Sequence, residues 1–307
     1  MNQDLAQYIL QQVRDNYNLC AEEFSRTRSY NWKSVKELTG RYVERGMKIL
    51  DVGCGNGRLL ELLRSKGVDY TGIDSSEKLI GEARKKLEIA VPIVRQGNWK
   101  LKQNSGNEEY VRKGRKGEES KEGGEGIERR GGLEKMHGKI PPYPPLRRGG
   151  GNFVIGDILD LPFEEDEFDI VFCVAVLHHI PSRELRQKAM HEVHSVLKPG
   201  GILITANWNF WQDKYRTKML IRIPPLTPPY KGVDINGQMD FGDIMLPPFN
   251  GKGAPRYHHA FTKLGIKRLF KRTGFRVKEC YYEKKGEIAG WRDGANLVCV
   301  GEKRRNL

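Results

Sequence analysis

A chain of 307 residues can hold one large α/β domain or two small ones, and a hydrophobic share of 38% with 35 glycines means that part of it is not core. The net charge of +14 favours polyanionic partners such as nucleic acid, or solubility alone, and says nothing of fold. The longest apolar run, Ile170 to Leu177, is too short to cross a bilayer, and MNQDLAQYIL lacks the charged-then-apolar pattern of a signal peptide, so a cytoplasmic protein with no membrane contact is expected.

Leu5, Ile9, Val13, Tyr17, Cys20 and Phe24 recur at steps of mostly four and predict one helix with an apolar stripe. Phe24-Ser-Arg-Thr-Arg-Ser-Tyr-Asn-Trp32 and a second short helical pattern complete a leader over residues 1–45. Its simpler role is to cap the sheet. The alternative is a helical lid over a bound cofactor, with Arg28 and Trp32 facing substrate.

Lys48-Ile-Leu-Asp-Val-Gly-Cys-Gly-Asn-Gly57 then reads as a buried strand running into a glycine-rich turn, and Leu59, Leu60, Leu62 and Leu63 begin a helix. Glycines there let the backbone turn tightly and approach a ligand that a Cβ would exclude, at the carboxyl end of a strand where open α/β sheets hold ligands. Asp51 within the strand suits a cationic or hydroxyl-rich ligand better than a pyrophosphate. Val68-Asp-Tyr-Thr-Gly-Ile-Asp74 is a second strand ending in an acid, about twenty residues past the glycines, the spacing that puts a carboxylate on ribose hydroxyls. Ser75 and Ser76 offer an N-cap to a helix through Leu79, Ile80, Ala83 and Leu87.

Residues 97–152 are rich in Gly, Lys, Arg and Glu, almost without periodic apolar residues, and read as a disordered, low-complexity insertion. A shorter Pro-rich relative lies at 222–233, and the two resemble a duplicated insert; a basic tether for nucleic acid is the alternative. Alternation resumes at Phe153-Val-Ile-Gly-Asp-Ile-Leu-Asp-Leu-Pro-Phe163. Whether Val91 to Val94 or Phe153 to Ile155 supplies the strand beside the insertion stays open. Phe168 to Leu177 is a continuous apolar strand of the kind buried on both faces of a parallel sheet, with His178-His-Ile-Pro181 at its end. A helix through Leu185, Ala189, Val193 and Val196 and a strand from Gly201 follow. Thr262 to Thr273 is helical, and Phe275 to Tyr282 and Asn296 to Gly301 are two strands suited to antiparallel pairing. The order predicts a doubly wound, mostly parallel sheet built from residues 46–96 and 153–307.

The five cysteines (Cys20, Cys54, Cys173, Cys280, Cys299) form no C-x-x-C pair, so buried thiols are favoured over disulfides or zinc ligands, and no His/Cys cluster has metal-ligand spacing along the chain. From Gly253 to Leu307 fourteen Lys or Arg face five Asp or Glu, and Lys263, Lys267 and Lys271 share one helix face, with Arg268 and Arg272 alongside. That imbalance fits phosphate contact, although a basic helix face can be merely solvated. His178 and His179 can simply cap the following helix; His258 and His259, beside Arg256, can bind phosphate or lie on the surface. Trp208, Trp211 and Trp291 read as packing or rim aromatics.

The acidic strand end with its spaced glycines resembles the S-adenosylmethionine (SAM) loop of the class I methyltransferases, Rossmann-like α/β proteins that close their sheet with an antiparallel strand. That resemblance implies SAM as cofactor, with Asp51, Gly53, Gly55 and Gly57 on its methionine end and Asp74 on its ribose. By similarity of Gly-Asp-x-x-x-Leu-Pro, Asp157 faces the adenine, with Ile158 and Ala175 also on the cofactor. A narrower resemblance covers most of the chain outside the inserts. Ala175-Val-Leu-His-His-Ile-Pro-Ser-Arg-Glu-Leu-Arg186, Phe24-Ser-Arg-Thr-Arg with Trp32, Gly242-Asp-Ile-Met-Leu-Pro-Pro and Arg256-Tyr-His-His-Ala-Phe are similar, in order, to segments of the eukaryotic wobble-uridine carboxymethyl tRNA methyltransferases. It implies tRNA as partner, Arg28 and His179 as the catalytic positions, and Trp32, His178, Arg256 and His258 toward the substrate, to which the basic helix face would add Lys263 and Lys267. Two segments depart from the family: its Val-Pro-Trp is Leu-Pro-Pro-Phe249 here, and its Asn-Trp is only echoed by Asp293-Gly-Ala-Asn296. The eukaryotic members act with a small zinc-binding activator protein, and these residues leave open whether one exists here. The alternatives are a methyltransferase for a small metabolite such as a quinone or lipid precursor, and a SAM- or RNA-binding protein without catalysis.

Overall fold

The computed structural model describes residues 1–28, 30–90, 99–104, 107–112, 151–213, 215 and 239–305. They fall into two units, Met1–Leu87 with Pro141–Leu307, and Glu88–Ile140.

Along the chain, helices α1 (Gln3–Thr27) and α2 (Lys33–Tyr42) precede β1 (Lys48–Val52), α3 (Arg58–Leu63), β2 (Asp69–Asp74) and α4 (Glu77–Ala90). Strands β3 (Trp99–Asn104) and β4 (Asn107–Arg112) belong to the smaller unit. Then come β5 (Gly151–Ile155), β6 (Phe168–Val174), α5 (Arg183–Val196) and β7 (Leu197–Trp208). The chain closes with β8 (Asp243–Leu246), β9 (Arg256–His259), α6 (Lys263–Arg272), β10 (Phe275–Lys284), β11 (Glu287–Ala289) and β12 (Asn296–Lys303).

The main sheet runs β11-β10-β12-β7-β6-β1-β2-β5. Its five strands from β5 to β7 pair in parallel. β12 enters antiparallel between β7 and β10, as expected of the two C-terminal strands. Successive side chains of a strand point to opposite faces, so each central strand serves two cores. Leu50 and Val52 of β1, Val171 and Cys173 of β6 and Leu297 and Cys299 of β12 pack on the side of α5 and α6. Ile49, Ile170, Phe172, Val298 and Val300 pack on the other side with α2, α3 and α4. This explains why β6 is apolar at nearly every position.

Phe153 to Ile155 supplies the strand beside the insertion: β5 pairs with β2 from Tyr70↔Gly151 to Asp74↔Ile155. The insertion's C-terminal boundary therefore moves from 152 to 150. Within the span, β3 and β4 form a hairpin from Trp99↔Arg112 to Asn104↔Asn107, held by backbone pairing that needs no apolar periodicity and so left no signal in the sequence. The rest of the insertion, Val91 to Val94 and the Pro-rich 222–233 lie outside the described residues. The strand expected from Gly201 begins earlier: Phe168 faces Leu197 and Ile170 faces Ile202, so Lys198 to Gly201 bulge out of register at Pro199 and Gly200. No helix among the described residues is long and apolar enough to cross a membrane.

Candidate active site

Between β1 and α3 the three spaced glycines all take positive φ, at +66°, +55° and +71° for Gly53, Gly55 and Gly57. A Cβ on Gly53 would stand 2.2 Å from Val176 Cγ2, and one on Gly57 would stand 2.6 Å from Phe153 Cζ. Backbone conformation and space both demand glycine here. The turn is tied to the next strand: Gly53 and Cys54 donate to the Ile73 carbonyl at 2.7 and 3.1 Å. Asp74 then accepts from the Gly55 N–H and the Ser76 N–H, each at 2.8 Å, so one carboxylate sets both the glycine turn and the start of α4. Burial raises the Asp74 carboxyl above its usual range, and these two N–H groups oppose the rise.

Asp51 points into the same space from β1, buried, with Tyr70 donating to it at 2.8 Å. Burial pushes its carboxyl up to about 7, against the pull of the Tyr70 hydroxyl and of Arg58. A carboxylate held there at neutral pH is short of positive charge.

A cavity of about 830 Å³ opens over this loop, large enough for a nucleoside-sized ligand and a second reactant. Its lining unites Asp51, Gly53, Gly55, Asp74, Asp157, Ile158 and Ala175 with Arg28, Trp32, His178, His179, Arg256 and His258. Gly57 lies outside it as the residue capping α3. Lys263 and Lys267 also lie outside it, on α6. Tyr17, Arg58, Val176 and Glu283 line it too, and sequence reasoning assigned them no role there. Tyr17 sits on the apolar stripe of α1, where helical spacing alone does not mark it as a cavity residue.

Helix α1 is fastened across the loop by polar side chains of both. Asn56 donates to the Arg28 carbonyl at 3.1 Å, Asn18 accepts from Ser76 Oγ at 2.8 Å, and Arg14 reaches Asp157 at 3.5 Å. Asn16 holds both the N–H and the carbonyl of Ala254, ahead of β9. These ties bring Arg28 to the cavity wall, its guanidinium 6.0 Å from the Phe24 ring and 5.9 Å from the Phe249 ring. Arg256 lies 5.7 Å from the same Phe249 ring, so one aromatic ring borders both arginines.

The two histidines after β6 meet a third from β9. His178 and His258 stack at 5.4 Å, and His179 lies 4.4 and 4.6 Å from them between ring centroids. His179 donates from Nδ1 to the Tyr257 carbonyl at 3.2 Å, since a carbonyl can only accept. Nε2 then accepts from the Tyr17 hydroxyl at 2.8 Å. Burial lowers all three, His179 to about 4 and the others well below their usual value, so the cluster is neutral at physiological pH. The reading of His258 and His259 as surface groups fails: His258 is 1% exposed, and His259 bonds Asp243 at 2.7 Å.

β9 is held in place by a buried ionic network. Arg186 on α5 donates to the Ile180 carbonyl at 3.0 Å, to the Tyr257 hydroxyl at 3.2 Å and to Asp240 at 3.4 Å, and lies 3.9 Å from the fully buried Asp243 carboxylate. Tyr257 and His259 also bond Asp243, at 2.6 and 2.7 Å. Removing one partner strands buried charge, at a cost of about 3–5 kcal/mol. Urea unfolding of Arg186→Met is therefore expected to show a loss of that order despite the preserved bulk, and a loss near zero would remove the network as the anchor of β9.

Residues 24–279 match the family model described as a methyltransferase domain. Sequence relatives include a protein of Encephalitozoon cuniculi named as a methyltransferase, 27% identical over 262 residues, with 85% of each chain covered. They also include the tRNA (carboxymethyluridine(34)-5-O)-methyltransferase of Arabidopsis thaliana, 25% identical over 214 residues; the match covers 70% of this chain but only 36% of that longer protein. Among solved structures, a SAM-dependent methyltransferase from Methanosarcina mazei superposes with a TM-score of 0.57 at 19% identity, covering 88% of this chain and 98% of the other, a likeness of fold.

Proposed function

The chain belongs to the methyltransferase-domain family and uses S-adenosyl-L-methionine as methyl donor, and from this premise we propose that its acceptor is the carboxyl group of a carboxymethyl-type wobble uridine in tRNA, converted to its methyl ester. The observation that carries the reading is the convergence of Arg28 and Arg256 with the histidine cluster on the cavity that also holds the glycine turn. Methyl transfer from a sulfonium needs the nucleophile in line with the methyl carbon and little else. A carboxylate is ionised at neutral pH and needs no base to activate it. It does need cations and N–H donors to hold one oxygen while the other attacks, and two guanidinium groups suit that task. The neutral imidazoles spend their one N–H each, at Nδ1, on protein oxygens and so wall the acceptor side of the cavity without adding charge. The Arabidopsis relative's named activity supports the same acceptor.

In this reading Asp51 meets the methionine end of SAM, Asp74 the ribose and Asp157 the adenine side. Lys263, Lys267 and the rest of the α6 face contact tRNA phosphates outside the cavity. The test is transfer of labelled methyl from SAM to bulk tRNA, followed by mild base. The expected product releases its label as methanol; a base-stable label would exclude the ester, and label entering only small metabolites would exclude tRNA.

Asp51 gives the SAM site a pH dependence with a definite sign. Without ligand its carboxyl titrates near 7, above its unfolded value, so its burial favours the folded chain at low pH and that contribution is lost as pH rises through about 7. Cationic SAM selects the ionised form. Its affinity, and the rise in melting temperature that it causes, are expected to grow between about pH 6 and 7.5, below the range in which an α-ammonium itself titrates. Calorimetric titration across that window checks this. Asp51→Asn should bind weakly and flatten the profile; an unchanged slope in that variant would remove Asp51 from the cation site.

A further inference from the structure

His178 and His179 come from the turn after β6 and His258 from β9, yet one ring nitrogen of each lies within 4.8 Å of the other two. Each ring is also anchored through Nδ1: His178 to the Asn207 amide oxygen at 3.3 Å, His179 to the Tyr257 carbonyl at 3.2 Å, and His258 to the Arg256 carbonyl at 3.1 Å. Fixing one ring nitrogen on an oxygen acceptor, so that the other presents its lone pair in a set direction, is how proteins prepare imidazole to ligate a metal. Asn207 is fully buried, and among the described residues its amide nitrogen has no partner.

We propose that His178, His179 and His258 form a three-histidine site for a divalent ion of the zinc or cobalt kind, with its fourth position facing the cavity. The donor set selects the ion class: three imidazoles and no carboxylate suit zinc, cobalt, nickel or copper and disfavour magnesium and calcium. Three protein ligands beside an open position are the pattern of a reactive rather than a structural zinc. Metal–nitrogen bonds of about 2.0–2.1 Å in a tetrahedron space the ligand nitrogens roughly 3.4 Å apart, so the rings close on the ion by no more than about 1.4 Å. The Tyr17 hydroxyl on His179 Nε2 gives way where that nitrogen ligates. On the acceptor reading given above, on which this role rests, the fourth position takes one oxygen of the substrate carboxylate and leaves the other free to attack the methyl group.

The test uses the untagged full-length chain, stripped with a chelator and titrated with Co²⁺, then Zn²⁺. Expected are saturable binding of one Co²⁺ per chain, the intense visible absorption of tetrahedral cobalt, and its loss on adding Zn²⁺. His258→Ala should weaken binding by on the order of 100-fold or more, and Asn207→Leu, which touches the metal only through His178, by roughly 10–100-fold. His191→Ala, on the exposed face of α5, should change nothing. Should His258→Ala fail to fold by near-ultraviolet circular dichroism, the wild-type cobalt spectrum and Asn207→Leu carry the test. Only octahedral cobalt, or equal affinity in the wild type and both site variants, overturns the proposal. Methyl-ester formation is assayed on the same samples. Ester formed without tetrahedral cobalt defeats the metal site and spares the acceptor reading; tetrahedral cobalt without ester on any tRNA does the reverse.

Discussion

Asp74→Ala is expected to weaken SAM binding by about 100- to 1,000-fold while leaving the sheet folded. The two N–H groups that the carboxylate holds at 2.8 Å, those of Gly55 and Ser76, lose their acceptor, and each buried donor left unpaired costs about 1–3 kcal/mol. Gly55 lies in a turn of three residues with positive φ, a conformation with little local preference of its own, so losing its anchor lets the turn wander. The ribose contact proposed for Asp74 disappears as well. About 1.4 kcal/mol corresponds to a factor of ten, which places the sum in the stated range. Titration calorimetry with SAM measures it. Asp74→Asn, which keeps one carbonyl acceptor, should fall between parent and alanine; binding within threefold of the parent in Asp74→Ala would exclude the residue as organiser of the cofactor loop.

The second large effect should separate methyl transfer from cofactor binding. Arg28→Ala and His179→Gln are expected to retain SAM affinity within a few fold and to lose about 100- to 1,000-fold in kcat/KM on tRNA. Hydrogen bonds to charged groups contribute about 1.5–3 kcal/mol, and donors aimed at a reacting oxygen reach about 2.7–4 kcal/mol. Arg28 has no carboxylate partner among its described contacts: it bonds the Thr27 carbonyl and hydroxyl at 3.4 Å and rests against Phe24 and Phe249. Its charge is therefore available to an anion entering the cavity. His179→Gln removes the ring that Tyr17 and the Tyr257 carbonyl hold between them. Full activity of Arg28→Ala on tRNA, with the base-labile product still formed, would remove that residue from the acceptor site. An equal fall in SAM affinity in either variant would move it to the donor half.

Much of the fold was legible because its signals are local. The run from Phe168 to Leu177 is apolar at nearly every position, which reports burial on both faces, and the stripe from Leu5 to Phe24 reports a helix face that is buried at Leu5 and Ile9 and turns to the cavity at Val13, Tyr17 and Phe24. The hairpin at Trp99–Arg112 carried no such signal, since backbone pairing does not depend on apolar period. Lys263 and Lys267 share a helix face as their spacing demanded, but spacing along a helix cannot say which cavity that face borders, and theirs is not the one that holds the other candidates.

The glycine turn and the two acids proposed to meet the methyl donor were legible in the sequence alone. Three glycines and two acids within one strand-turn-helix-strand stretch are close in space because they are close in the chain, and a glycine turn forced to positive φ allows few other arrangements. Only the tertiary structure brought together the residues proposed for the acceptor. Tyr17, His179 and His258 lie far apart in the chain and meet because α1 packs across the glycine turn and because Arg186 and the buried Asp243 carboxylate fasten β9 beside the end of β6. Those contacts are non-local burial and charge pairing, which no pattern within a short window of residues records, and the third histidine of the cluster became visible only when the sheet brought it there.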